Sequence, residues 1–240
     1  MQGRAFFRPG MYGAAAMQAG NKNYRGTEDL PEAVPIFPLS GALLLPGGTM
    51  PLNVFEPRYL QMIEAAMAGD RLIGMIQPAL DGSHREDGEP VLAPVGCAGR
   101  IVSFAESGDG RYLITLHGVC RFRLGEEIEK PHRAYRVAKI TPFAGDLSDD
   151  DRSAVDRAGL ISAFRAFVEA NDMEVDWASV DQASTQTLVN VLSMMSPYGP
   201  AEKQALLEAP DLKSRAQTLI AITELLLATV PDGQGGNSLQ

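Results

Sequence analysis

The spacing of apolar residues along this chain changes once, near Gly145, and that change narrows the folds open to it. Before it, short apolar runs alternate with turn residues: Val34 to Leu39, Met50 to Phe55, Leu72 to Ile76, Cys97 to Phe104, Arg111 to Leu116, Val119 to Leu124 and Ala134 to Ile140. Such runs, bounded by Gly, Pro, Asn and Asp, belong to strands. After it, Val155, Leu160, Ile161, Phe164, Phe167 and Val168 form an apolar stripe at helical spacing. A β-rich part followed by a helical part is an α+β arrangement. The 240 residues suffice for a sizeable core, shared or in two halves.

Local signals place the elements. Pro35 and Pro38 interrupt the first run, and proline cannot donate to a ladder, so an edge or bulged strand is expected there. Leu43-Leu44-Leu45 runs into the turn Pro46-Gly47-Gly48. One helix interrupts the β region: Pro57 suits its first position, Leu60, Ile63 and Met67 share a face, and Gly69 offers a left-handed cap. Asp81 to Glu89 reads as a polar loop, and Ser107 to Gly110 as a hairpin turn. In the second half, Ser148 with Asp149 to Asp151 suits a helix start. Further helices are expected over Gln182 to Met195, from Pro200 to Leu207, and from Asp211 until Pro231 stops the last. Four segments result: a flexible leader 1–30, a β-rich part 31–145, a helical bundle 146–230 and a flexible end 231–240.

Charge and cysteine usage exclude several classes. The formal net charge is -9, which disfavours broad contact with nucleic-acid phosphates. Cys97 and Cys120 make no disulfide framework and no C-x-x-C pair, so they read as small buried apolar residues. No apolar run approaches the ~20 residues that span a bilayer, and no secretory signal is evident, so a cytoplasmic protein is expected.

The usual catalytic patterns are missing. His84, His117 and His132 fall in no local zinc motif. Neither a nucleophile elbow nor a P-loop occurs, and Ser193 and Ser196 sit at a helix end without a base nearby. No cofactor or metal is expected, and no enzymatic activity. The densest cluster, Phe55-Glu56-Pro57-Arg58-Tyr59, has two readings. It forms a helix start, with Glu56 accepting hydrogen bonds and Arg58 pairing with a carboxylate. Alternatively, Arg58 or Tyr59 faces a binding surface.

The same residues carry a resemblance. Pro35-Ile36-Phe37-Pro38-Leu39, Leu45-Pro46-Gly47 with Leu52, and Phe55 to Tyr59 resemble the opening of the N-terminal, substrate-binding domain of Lon proteases. Ile73-Gly74-Met75-Ile76, Val95-Gly96-Cys97-Ala98, and Asp109 to Tyr112 leading to Gly118-Val119-Cys120-Arg121-Phe122 continue it. Glu202 to Glu208 with Arg215, Ala216 and Leu219 resemble its helical segment. Gly99, after Ala98, departs from the family pattern. The resemblance covers about residues 31 to 228, and its specificity lies in the order and spacing of motifs that are individually weak. It implies a small PUA-like β pseudo-barrel, then a helical bundle, with recognition of protein substrates and assembly as the family's roles. It also implies binding without hydrolysis, since neither an ATPase nor a peptidase module is legible here.

Partners are then unfolded or extended protein segments, or a protease on which the chain docks as an adaptor. A small-ligand or RNA-binding pseudo-barrel is a further class, and a homo-oligomer is compatible with all of these. Ten methionines and the apolar stretch at Leu44 and Pro46 suggest an exposed groove at the β/α junction, lined also by Met194 and Tyr198. Arg58 and Tyr59 complete the candidate binding residues.

Overall fold

The computed structural model describes residues 17–129, 133–147, 155–171 and 173–229. The expected helix start at Ser148 to Asp151, the stop at Pro231 and His132 all lie outside them, as do residues 1–16 and 231–240.

Five strands pair into a closed ring. β3 (Ala33–Pro38) lies parallel to β5 (Leu72–Pro78), and β5 is antiparallel to β6 (Leu92–Glu106). β6 pairs with β7 (Tyr112–Glu127), β7 with β8 (Arg136–Pro142), and β8 returns to β3. β4 (Thr49–Val54) pairs only with the first half of β7, outside the ring. The long connection between β4 and β5 holds α1 (Pro57–Ala68). The second half supplies α2 (Arg157–Ala170), α3 (Trp177–Gln182), α4 (Thr185–Met195), α5 (Pro200–Glu208) and α6 (Leu212–Thr229). The architecture is α+β, with a strand barrel and a set of helices.

Two cores result, one on each side of the barrel wall. Ile36, Leu72, Ile76, Ala98, Val119, Phe122 and Ala138 fill the interior. Phe122 needs two glycines opposite it: a Cβ at Gly74 would come 2.9 Å from its ring, and one at Gly96 2.6 Å. Ile73, Met75, Val95, Cys97, Ile101 and Leu116 point outward and pack on Leu160, Leu188, Val189, Leu206, Leu207 and Leu219 of the helices. β5 is therefore buried on both faces, which explains its nearly unbroken apolar run. Each such side chain contributes about 1.5–3 kcal/mol.

Several local expectations need correction. β3 is not an edge strand. β8 pairs with it over Ala33 to Ile36 and β5 over Ile36 to Pro38. Pro35 and Pro38 thus flank the residue where one neighbour gives way to the other. The runs at Arg111 and Val119 are one strand, β7. Its register against β6 steps from Gly118 to Cys120, leaving Val119 as the extra residue of a bulge. A side chain at Gly118 would overlap the Leu45 carbonyl. The bend lets one strand serve β4, β6 and β8 in turn.

Gly69 closes α1 at φ -120°, and Arg71 takes the left-handed conformation at φ 60° instead. The helix expected over Gln182 to Met195 is α4, which starts three residues later, at Thr185, and a separate short helix, α3, ends at Gln182. Extended backbone at Ala183 and Ser184 separates them, and the Ser184 hydroxyl accepts from the Thr187 N–H at 3.1 Å. α2 starts on Asp156, whose carboxylate accepts from the Gly159 N–H at 2.9 Å. Asp211 caps α6 as expected, accepting from the Ser214 N–H at 2.7 Å.

The leader expected over residues 1–30 is ordered where it is described. β1 (Met17–Ala19) and β2 (Lys22–Tyr24) form a hairpin that buries Ala19 and Tyr24 in the barrel-side core. Polar composition concealed this, because two apolar side chains suffice to fix so short a hairpin once a barrel is there to receive them.

Candidate functional site

The expected binding residues fall into two groups that do not meet. Leu44, Pro46, Met194 and Tyr198 belong to the seam between barrel and helices. Leu44 is 2% exposed and Tyr198 6%. The Tyr198 hydroxyl hydrogen-bonds Thr223 at 2.7 Å, and the Pro46 carbonyl accepts from Asn190 at 2.8 Å. Met194 packs its sulfur against Gly48, where a Cβ would displace it. The groove expected at this junction is occupied by the chain's own helices. Leu44, Pro46 and Tyr198 are buried and Met194 is partly buried against the core, while the neighbouring Met195 is largely exposed.

The motifs of the helical segment lie in the same seam and act as clamps. Gln77 of β5 donates to the Pro200 carbonyl at 3.0 Å and to Gln204 at 3.1 Å. Gln204 in turn donates to the Val95 carbonyl at 3.2 Å, and Lys203 to the Gly41 carbonyl at 2.9 Å. The other end of α5 is held by two arginines. Arg121 of β7 donates to the carbonyls of Leu207, at 3.0 Å, and Ala209. Arg215 of α6 donates to the Leu206 carbonyl at 2.9 Å. Carbonyls at a helix C-terminus lack intrahelical partners, and cations there also suit the helix dipole. Arg121 pairs with Asp146 at 2.7 Å, with both side chains nearly buried. Burial and the charge of Arg121 push the Arg215 guanidinium down to about 10, so it stays charged at neutral pH.

Arg58 and Tyr59 line a cleft of about 640 Å³ at one end of the barrel. It opens where β8 parts from β3, beyond the Ile36–Arg136 pair. Pro38, Ile128, Ala134, Tyr135 and Val137, with Tyr59 in the wall, give it its apolar lining, and charged side chains supply the rest. Tyr59 is nearly buried between the Phe37 ring, 4.3 Å away, and the Arg58 guanidinium, 4.6 Å away. Burial raises its phenol above the usual value.

The rim is a set of ion pairs that ties three segments together. Arg58 bridges Glu56, at 3.1 Å, and Glu89, at 2.9 Å. Glu56 thus pairs with Arg58 and gives α1 no side-chain cap. Arg85 reaches Asp87 at 3.1 Å and Glu127 at 3.0 Å. Arg136 forks onto Glu127 and donates to the Pro90 carbonyl at 2.8 Å. The Arg136 fork, with Arg85 beside it, holds the Glu127 carboxyl below its usual range. Of these residues, sequence reading found only Arg58 and Tyr59. Glu56 stands in the same cluster. Arg85, Asp87 and Glu89 come from the polar loop, and Glu127, Ile128, Tyr135 and Arg136 from the facing ends of β7 and β8 and the turn between them. Their convergence leaves no local spacing to detect.

Acid–base chemistry finds little support elsewhere. Burial holds Cys97 well above the usual thiol range and raises Cys120 to about 12, so neither is a thiolate at neutral pH. His117 is buried and its pKa is lowered by that burial. Ser193 is buried and donates its hydroxyl to the Val189 carbonyl at 2.7 Å. Among the described residues no group of three or more His, Cys, Asp or Glu is placed to hold a metal, and no helix is long and apolar enough to cross a membrane.

Fold and cleft together define an α+β domain in which a closed strand ring, clamped to helices, presents a lined cleft to solvent. The profile of the ATP-dependent protease La (LON) substrate-binding domain matches residues 33–224, and the chain belongs to that family. Lon protease 2 of Myxococcus xanthus is 27% identical over 202 residues, covering 81% of this chain and 24% of that protein. The Lon protease of Flavobacterium johnsoniae is 27% identical over 195 residues, 79% and 23% of the two chains. The chain therefore spans about a quarter of the length of these relatives. Two solved structures share the fold. The Lon N-terminal domain protein from Xanthomonas campestris has a TM-score of 0.56 at 24% identity, over 83% of this chain and 99% of that one. The N-terminal domain of Mycobacterium avium complex Lon protease has a TM-score of 0.60 at 18% identity, over 80% and 98%.

Proposed function

We propose that this chain binds extended or unfolded protein segments, that the cleft beside Tyr59 receives them, and that its own part is binding without hydrolysis. One observation carries the reading. In a family described by substrate binding, this chain keeps a 640 Å³ space, lined by apolar and charged side chains and open to solvent, while its junction groove is filled by its own helices. A volume of this order suits a few side chains of an extended segment. The rim's ion pairs are partly exposed and can re-pair around an incoming segment at little cost.

The test uses reduced, carboxymethylated α-lactalbumin, which cannot refold, as the unfolded probe. Ile128→Ser with Tyr135→Ser strips apolar lining from partly exposed positions. Affinity measured by calorimetry is expected to fall about tenfold, or ~1.4 kcal/mol, with the fold retained by circular dichroism. Unchanged affinity in the folded double variant would place binding elsewhere. A probe that never binds, beside one folded partner recovered by crosslinking in cells, would make the chain an adaptor instead.

A further inference from the structure

The loop from Ala79 to Val91 forms one wall of the cleft, through Arg85, Asp87 and Glu89. By itself it is a closed unit. The Ala79 N–H donates to the Val91 carbonyl at 2.8 Å, the Val91 N–H to the Ser83 carbonyl at 3.0 Å, and the Arg85 N–H to the Glu89 carbonyl at 2.8 Å. Asp81 and Asp87 each accept from the N–H two residues on, that of Ser83 and of Glu89. The base of the loop is the Pro78–Leu92 pair, which follows a shift of register after Ile76. Such an irregularity bends a strand pair.

The loop's hold on the barrel is of another kind. No residue from 79 to 91 is buried, and none belongs to either apolar core. Side chains supply the links: Glu89 to Arg58 at 2.9 Å, Arg85 to Glu127 at 3.0 Å, and Arg136 to the Pro90 carbonyl at 2.8 Å. Arg58 and Glu89 are each 37% exposed and Arg85 35%, so water and salt compete with these pairs. A unit held together by its own bonds, with no apolar anchor, can leave its seat without opening either core.

We propose that this loop is a flap latched by Arg58, Arg85 and Arg136, and that its release widens the cleft to admit a segment, granted the reading above that segments bind there. The flap pivots at Pro78 and Leu92, and the arginine pairs re-form once the segment is seated.

Spin labels at Glu86→Cys, on the loop, and Lys139→Cys, on β8, report the flap's position as a distance by pulsed electron paramagnetic resonance. Both positions are exposed, whereas Cys97 and Cys120 are buried and stay unlabelled. Arg85→Gln with Glu89→Gln opens the latch and leaves the net charge unchanged, so a change in overall charge does not account for a faster encounter. This latch variant is expected to add a longer distance to the single one of the parent, and salt at about 0.5 M to do the same in the parent. Association with reduced, carboxymethylated α-lactalbumin, followed by stopped flow, is expected to be about threefold faster in the latch variant. A distance distribution that neither change moves overturns the flap. So does a flap that moves while the association rate stays as in the parent, and the cleft then still stands if Ile128→Ser with Tyr135→Ser weakens the probe. If that lining variant binds like the parent, the cleft reading falls and the flap's role falls with it.

Discussion

The seam and the cleft are built from the same chemistry at different depths. In the seam, Arg121 and Asp146 are 3% and 9% exposed, and they hold one arrangement of barrel against helices. At the cleft, Arg58 and Glu89 are each 37% exposed, and the pairs around them shape a surface. Water decides the difference. Breaking a buried pair leaves a charge that nothing solvates, whereas an exposed pair is screened and worth little to stability. An arginine–carboxylate pair therefore stabilises the fold in the first place and remains adjustable in the second. The apolar residues divide likewise. Leu44 and Tyr198 are spent on packing, while Ile128 and Tyr135 stay partly open.

The sharpest way to break this comparison is Arg121→Ala. It strands the Asp146 carboxylate and uncaps the end of α5, so a loss of about 3–5 kcal/mol is expected. Trp177, the single tryptophan, lies in the helical half under Arg165 and reports unfolding by fluorescence in urea. A loss under 1 kcal/mol would show that the seam does not depend on this clamp. Next in size, Leu44→Ala is expected to cost about 2–5 kcal/mol through the cavity it leaves. Its folded fraction should bind the unfolded probe like the parent, and weaker binding at full folding would return Leu44 to a binding surface. Tyr198→Phe removes only the hydrogen bond to Thr223, and about 1 kcal/mol is expected from the shift in urea midpoint.

The cleft should give the smallest stability effects. Arg58→Gln is expected to change stability by no more than about 1 kcal/mol while weakening the probe, and the reverse pattern would move it into the fold's support. Glu127 supplies a pH test. Arg136 and Arg85 lower its folded pKa, so its stabilisation is present above the unfolded value of about 4.3 and is lost as pH falls through the folded value. Glu127→Gln should therefore flatten the fall of stability below about pH 4.3, and an unchanged acid slope would mean that the pairs carry no net free energy.

Much of the fold was legible because its signals are local. Pro57 opens α1, Asp211 caps α6, and the turn at Ser107 to Gly110 joins β6 to β7. The errors fell where a distant neighbour overrode a local rule. Pro35 and Pro38 read as edge-strand residues, yet two different strands flank them within one ring. Gly118 read as a gap between strands, yet it admits the Leu45 carbonyl at a bulge. The site was half visible. Arg58 and Tyr59 stand in a recognisable cluster, but no spacing announces that Arg85, Glu127, Arg136 and Tyr135 join them.

By itself the sequence determined the α+β order, the placement of most helices and strands, and the family. Hydrophobic period, caps and turns act within a few residues, and the ordered motifs survive in one dimension. Only the tertiary structure decided which of these residues are core and which are surface. Leu44 and Ile128 are both apolar residues beside a turn or strand end. One meets the helices that close over it and the other faces a gap between β3 and β8, because burial depends on what the rest of the chain packs there.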